Sequence, residues 1–75
     1  MMYDSNKPYY TCVICLNGDH RSEVHHASFA EAHHYYLEFC RMHIKSPNCY
    51  VDIGNWDETD NDNPSGLSAD EKAML

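Results

Sequence analysis

Four residues of the sequence have side chains that bind soft metal ions, and they occur in two short pairs. Cys12 and Cys15 are three positions apart, and Cys40 and His43 repeat that spacing. Structural zinc is held by four thiolate or imidazole ligands in a tetrahedron, often from closely spaced pairs of this kind. The set Cys12, Cys15, Cys40 and His43 is therefore a candidate zinc site, and it would indicate a zinc-stabilised structural or adaptor module.

The expected backbone argues against this zinc site. The run from Tyr9 to Leu16 is dense in β-branched and aromatic residues and predicts a strand. Side chains three apart on a strand point to opposite faces, so Cys12 and Cys15 would not reach one ion. We therefore expect no metal and no other cofactor, with the cysteines present as free thiols. Disulfides are not expected either, because the start of the sequence has no secretory signal pattern.

The other chemistry-bearing residues form no catalytic pattern. The sequence has six histidines, but neighbouring side chains on a strand or a helix diverge, so adjacent histidines do not converge on one site. A cysteine nucleophile needs a positioned base, and the helix face shared by Cys40 and His43 is the one needed for the core. There is also no glycine-rich phosphate loop and no cofactor fingerprint. We expect a protein that is not an enzyme.

The first two strands should form a β-hairpin. Asn17-Gly18 is a strong hairpin signal, and the second strand should run from Asp19 to about His26. A plain two-residue turn would place charged side chains on the apolar face of the first strand. A loop with Gly18 in a left-handed bulge avoids this, and we favour that register. The side chains then expected to face the core are those of Tyr10, Cys12, Ile14 and Val24. Those expected to face outward are Val13, Cys15, Arg21 and Glu23.

A helix and a third strand complete the expected domain. Ser28 and Glu31 form a capping box that opens an amphipathic helix, which should end near Ile44. Residues 49–53 alternate with period two and predict a third strand, with Cys49, Val51 and Ile53 inward. The most apolar strand should be central. We therefore expect an α+β fold of ββαβ topology, with an antiparallel sheet in the order 2-1-3 and the helix across one face.

The net charge of −7 is unevenly distributed along the chain. Residues 1–51 hold five acids and four bases, whereas residues 52–75 hold seven acids and one base. We expect a small α+β domain over residues 1–56 and a disordered acidic tail over residues 57–75. Direct nucleic-acid binding is not expected without a basic stripe, whereas a partner with a basic surface is. No run is apolar enough to span a bilayer, so we expect a cytoplasmic protein.

Residues 7–56 resemble the small T-odd phage inhibitor of bacterial RNA polymerase. The resemblance lies in the order of elements and in the helix opening Ser28-Phe29-Ala30-Glu31-Ala32. It implies a phage protein of the bacterial host cytoplasm that blocks a host enzyme. The chain lacks that inhibitor's disordered N-terminal stretch and adds an acidic tail, so no binding residues are carried over. Acidic proteins of this size also resemble phage-encoded DNA mimics and inhibitors of CRISPR systems.

These features together predict an inhibitor that acts by occupying another protein. The expected partner is a host nucleic-acid-handling protein with a basic surface, such as RNA polymerase, a defence nuclease or a CRISPR complex. Long-range attraction would speed the encounter, and two aromatic side chains would provide desolvated anchors. The chain itself is expected to be a monomer or a weak homodimer. The expected partner-binding residues are Tyr50, Asp52, Trp56, Asp57, Glu58, Asp60 and Asp62.

Overall fold

Three antiparallel strands and one long helix form the body of the protein. A computed structural model describes residues 6–16 and 20–75. The sheet has the order β2-β1-β3, as predicted. The elements, in chain order, are β1 (Tyr9–Cys15), β2 (His20–His26), α1 (Phe29–Met42), β3 (Cys49–Asn55) and a short α2 (Ala69–Ala73).

α1 begins at the predicted capping residue. The Ser28 hydroxyl accepts a hydrogen bond from the Glu31 backbone N–H at 3.3 Å. The Glu31 carboxylate accepts one from the N–H of Ala27 at 3.1 Å, one residue earlier than a standard capping box. At the other end, the N–H of His43 donates to the Phe39 carbonyl at 3.0 Å. These bonds satisfy backbone groups that helix ends leave open.

The hairpin register differs from the predicted one. Cys12 lies opposite Glu23, and Ile14 lies opposite Arg21. This is the pairing of a plain two-residue turn, so the bulged register was wrong; the turn itself, with Gly18, lies outside the described residues. Val24 faces α1 as expected. The register is shifted by one residue, so that Val24 lies opposite Thr11 and not Tyr10, and the face of β1 that packs on α1 is also the opposite one.

The face of β1 that packs on α1 is the one predicted to point outward. Tyr9 meets Phe29 of α1 edge to face, with ring centroids 6.0 Å apart. Val13 lies opposite Val51, so the apolar positions of β1 and β3 fall on the same side of the sheet. The pairing of apolar side chains between β1 and β3 therefore favours this face of β1 as the one toward α1. The β1 side chains predicted to face α1 but placed on the other side of the sheet are those of Tyr10, Cys12 and Ile14.

The predicted disordered tail is not confirmed, because residues 57–75 pack back on the body. Leu67 is 1% exposed and forms the buried core with Ala32 and Ile53. An isolated leucine in a polar stretch provides the apolar burial that fixes this segment, a free energy of about 2 kcal/mol for a leucine side chain. The chain is therefore ordered well beyond residue 56.

α2 is anchored by its own first turn. Ser68 and Glu71 form a complete capping box, and Tyr9 of β1 donates a hydrogen bond to the Glu71 carboxylate at 2.7 Å. A helix of five residues is too short to persist alone. Its stability here depends on these contacts with the body.

Candidate functional site

Cys15 and Cys49 lie opposite each other at one end of the sheet. They are cross-strand partners in β1 and β3, and their Cα atoms are 4.0 Å apart. The two residues are joined by a disulfide. The expectation that all cysteines are free thiols was wrong for this pair, because the unpredicted β1 orientation places Cys15 on the same face as Cys49.

The loop between α1 and β3 brings a histidine to this pair. The Ser46 N–H donates to the His43 carbonyl at 3.0 Å, and the Cys49 N–H donates to the Ser46 carbonyl at 3.1 Å. These two turns close the loop onto the end of the sheet. The ligand atoms of Cys15, His43 and Cys49 consequently lie within 4.8 Å of one another, close enough to bind one metal ion. This group is called the cysteine–histidine cluster.

The predicted zinc set is not assembled in the structure. Of its four members, only Cys15 and His43 belong to the cysteine–histidine cluster. Cys12 is buried on the opposite face of the sheet, and Cys40 is a half-buried free thiol of α1. Cys49 takes part instead. Aligning the apolar residues Val13 and Val51 across β1 and β3 would have indicated the contact, because that register places Cys15 opposite Cys49.

The oxidation state of the cysteine–histidine cluster decides its chemistry. As a disulfide, the two sulfurs are not thiolates and do not act as zinc ligands. Reduced, they would supply two thiolates beside one imidazole, which are three of the four ligands that zinc prefers. All three side chains are half-buried, so the cluster is reachable from solvent.

The sheet face away from α1 carries a groove of about 320 Å³. Two of the predicted partner-binding residues, Asp52 and Trp56, line it. Tyr50 lies on the same face because it is two residues from Asp52 along β3, and it is 49% exposed. The full lining comprises Tyr10, Cys12, Ile14, Arg21, Glu23, Asp52, Trp56, Thr59 and Pro64. This groove is called the open-face groove.

Charged and aromatic side chains of the open-face groove are held by specific contacts. The Glu23 carboxylate lies 3.4 Å from the Arg21 guanidinium and 2.9 Å from the His25 imidazole. The indole N–H of Trp56 donates to the backbone carbonyl of Lys7 at 3.1 Å. This hydrogen bond restrains the orientation of the Trp56 side chain in the groove lining.

Residues 57–62 form an ordered acidic loop. The Asp57 N–H donates to the side-chain oxygen of Asn55 at 3.1 Å, and the Thr59 hydroxyl donates to the Asn55 carbonyl at 2.9 Å. Further along, one Asp60 carboxylate oxygen accepts the N–H of Asp62 at 2.9 Å. Such turns fix the backbone of the loop and leave most of its carboxylates in solvent.

The predicted partner-binding residues are divided between two grooves. The acidic loop borders both, because Thr59 lines the open-face groove and Glu58 and Asp60 line the second. Asp57 and Asp62 are exposed on the acidic loop. Glu58 and Asp60 line a second groove of about 440 Å³ with Glu71 of α2. Tyr50, Asp52 and Trp56, in contrast, belong to the open face of the sheet.

Known proteins provide no further guide to this surface. The chain has no significant match among family models, curated proteins or solved structures. In the part of the chain that the structure describes, no helix has the length and apolar character needed to cross a bilayer.

The second groove contains the two titratable groups that join α2 to the sheet. The hydrogen bond to Glu71, reinforced by burial, raises the pKa of Tyr9 above its ordinary value. Burial acts to raise the pKa of Glu71, but hydrogen bonds from Ser68 and Tyr9 outweigh it and lower that pKa. Glu71 is therefore a carboxylate at neutral pH and adds to the negative charge of this side.

Proposed function

We propose that the protein is a non-enzymatic, phage-type inhibitor that occupies a basic surface of a host nucleic-acid-handling protein in the bacterial cytoplasm. The observation that carries this proposal is the placement of the acidic loop. It is anchored through Asn55 directly beside Trp56, which lines the open-face groove. Negative charge and a fixed aromatic side chain thus border one surface.

Order in the acidic loop favours tight binding. A flexible acidic tail would lose conformational entropy when it docks, whereas a loop already held by hydrogen bonds loses less. The carboxylates of Asp57 and Asp62 are exposed and free to meet basic side chains of a partner. We keep the predicted role of these acids in attracting a basic partner, but they lie on an ordered loop and not on a flexible tail.

The charge distribution would also orient the protein during the encounter. The acidic loop lies beyond Asn55, at the end of the sheet where α2 packs. Arg41 and Lys45 lie at and just beyond the opposite end of α1, on the side of Cys15 and Cys49. A basic partner would attract one end and repel the other, which raises the rate of productive encounters.

A nucleic-acid-handling partner fits this surface because proteins that bind phosphates do so through lysine and arginine. Clustered carboxylates compete for such a surface as phosphates do. The resemblance to the phage inhibitor makes bacterial RNA polymerase the first partner to test, with defence nucleases and CRISPR complexes as further candidates.

Binding to bacterial RNA polymerase tests the proposal directly. The immobilised chain should bind the core enzyme, and Asp57→Asn with Glu58→Gln should weaken binding about fivefold, mainly through a slower association rate. The affinity of the natural chain should also fall as salt rises. Both side chains are exposed to solvent, and the backbone hydrogen bond of Asp57 is kept in the variant.

A matched pair of substitutions controls for net charge. Glu38→Gln with Asp70→Asn removes the same number of charges from exposed or half-buried positions of α1 and α2, outside residues 57–62. This control should bind as the natural chain does. Equal loss in both double variants would show that only net charge matters, and no binding to polymerase, nuclease or CRISPR complex would refute the proposal.

We propose zinc binding as a second candidate function, favoured by one observation. The ligand atoms of Cys15, His43 and Cys49 lie within 4.8 Å of one another. This set replaces the one predicted from the sequence and would stabilise the module by joining β1, β3 and the end of α1. Metal analysis of the reduced protein, purified without a polyhistidine tag, should find one zinc per chain. Cys49→Ser should abolish this binding and Cys40→Ser should leave it unchanged.

A further inference from the structure

We infer that the cysteine–histidine cluster is a redox-gated zinc site, in which the disulfide and the zinc complex are alternative states of the same two sulfurs. The inference rests on the second candidate function and adds the regulation of that site. Under oxidising conditions Cys15 and Cys49 are joined to each other. Under reducing conditions the same residues, with His43, hold zinc.

The backbone is positioned for both states. The Cα atoms of Cys15 and Cys49 are 4.0 Å apart on neighbouring strands. Two thiolates on a tetrahedral zinc lie about 3.8 Å apart, since each zinc–sulfur bond is about 2.3 Å. Side-chain rotation separates the sulfurs by that amount without moving β1 away from β3. The imidazole of His43 is already within 4.8 Å of both sulfurs.

The two states exclude each other chemically. Zinc binds a thiolate, and a sulfur in a disulfide carries no such charge. Reduction requires two molecules of a low-molecular-weight thiol, which give two electrons and two protons. The bond between Cys15 and Cys49 breaks, two thiols form, and the two reductant molecules become one disulfide. Zinc then binds both sulfurs, and their two protons pass to solvent.

The cluster is open to both reductant and metal. Its three side chains are half-buried, and the neighbouring residues Leu16 and Ile44 are 67% and 80% exposed. Three protein ligands also leave the fourth zinc position for water or for a donor atom of a partner. The open position lets a further ligand reach the metal.

Zinc content in the two redox states is the first test. The Cys40→Ser chain is used throughout, because it lacks the half-buried spare thiol of α1. Fully oxidised and fully reduced samples are given Zn²⁺, freed of unbound metal and analysed for zinc. We expect one zinc per reduced chain and none per oxidised chain. Zinc bound equally by both samples would overturn the gating.

A histidine pair provides the matched control. His43→Gln should weaken zinc binding by the reduced chain at least tenfold and still allow the disulfide to form. His34→Gln, on the exposed side of α1, should do neither. Equal zinc affinity in the two variants would remove His43 from the site.

The rate of disulfide formation with and without zinc tests the redox gating separately from zinc binding. Reduced chains with and without zinc are mixed with oxidised glutathione, and formation of the Cys15–Cys49 bond is followed by mass spectrometry. Zinc should slow this reaction at least tenfold, and a chelator should restore the rate. If the reduced chain binds no zinc, the second candidate function fails. If it binds zinc but oxidises at the same rate, that function stands and the gating is refuted.

Discussion

The hydroxyl of Tyr9 donates a hydrogen bond of 2.7 Å to the carboxylate of Glu71, 62 residues further along the chain. This contact joins the first strand to the last helix. Tyr9→Phe removes the donor and keeps the ring that packs on Phe29. We expect the free energy of unfolding to fall by about 1 kcal/mol, because the bond is charge-assisted but only partly buried. Urea denaturation measures this change.

A second tyrosine supplies the control for this substitution. Tyr50 is 49% exposed on the open face, so Tyr50→Phe should change stability by less than about 0.5 kcal/mol. Amide exchange in α2 should also speed up in Tyr9→Phe alone. Unchanged exchange there would mean that the tyrosine does not hold the helix.

The same pair of residues predicts a pH dependence of stability. The folded pKa of Glu71 lies below its ordinary 4.5, because the hydrogen bonds from Ser68 and Tyr9 outweigh the opposing effect of burial. Its contribution is therefore complete above pH 4.5 and is lost as the pH falls through the lower folded value. Glu71→Gln should flatten this acid loss, measured as the free energy of unfolding between about pH 5 and pH 3. An equally steep loss in the variant would contradict the assignment.

Tyr9 sets the alkaline limit of the same contact. Its folded pKa is raised above 10.0, chiefly by the hydrogen bond to Glu71 and then by burial. The stabilisation is present below pH 10.0 and is lost as the pH rises through the folded pKa. Tyr9→Phe should lack this alkaline loss when unfolding is followed between about pH 9 and pH 11.

Local signals in the sequence predicted the elements well. The helix start at Ser28, the alternation of β3 and the central position of β1 were all correct. Each depends on residues close together in the chain, such as a capping hydroxyl and the amide three positions on. The same local pattern recurs at Ser68 and Glu71, which open α2.

Long-range pairing was harder to predict. The prediction assigned the wrong face of β1 to the core because it chose the register that kept charged side chains off the face of Cys12 and Ile14. In the structure Glu23 lies on that face and contacts Arg21 and His25. The same error concealed the meeting of Cys15 with Cys49. The packing of residues 57–75 depends on Leu67, which is buried against Ala32 and Ile53, and on hydrogen bonds to Asn55 and Tyr9. Composition alone does not reveal these contacts.

Leu67 should account for much of the attachment of the C-terminal segment. It is 1% exposed and packs with Ala32 and Ile53. Leu67→Ala should lower the free energy of unfolding by about 2–4 kcal/mol, because it removes buried apolar surface and leaves a cavity. Leu75→Ala, at a side chain that is 49% exposed, is the matched control and should have little effect. Equal stability of both variants in urea denaturation would mean that residues 57–75 do not pack on the body.

A buried histidine predicts a further loss of stability in mild acid. His26 is 3% exposed, and its ring stacks on Tyr35 with centroids 4.8 Å apart. Its ring nitrogen also lies 2.8 Å from the Thr11 hydroxyl. Burial lowers the pKa of His26 below 6.5, and the nearby charge of Glu31 opposes this only in part. The folded protein therefore holds this imidazole neutral where the unfolded chain would protonate it.

The lower pKa of His26 in the folded protein makes the folded state less stable as the pH falls. Stability contributed by neutral His26 is complete above pH 6.5 and is lost as the pH falls towards the lower folded pKa. His26→Phe keeps an aromatic ring against Tyr35 and removes the titration. We expect this variant to be less stable at neutral pH, because the Thr11 hydroxyl loses its partner, but to show a flatter decline between about pH 7 and pH 5. A decline as steep as that of the natural chain, measured by urea denaturation at each pH, would assign the acid sensitivity to another group.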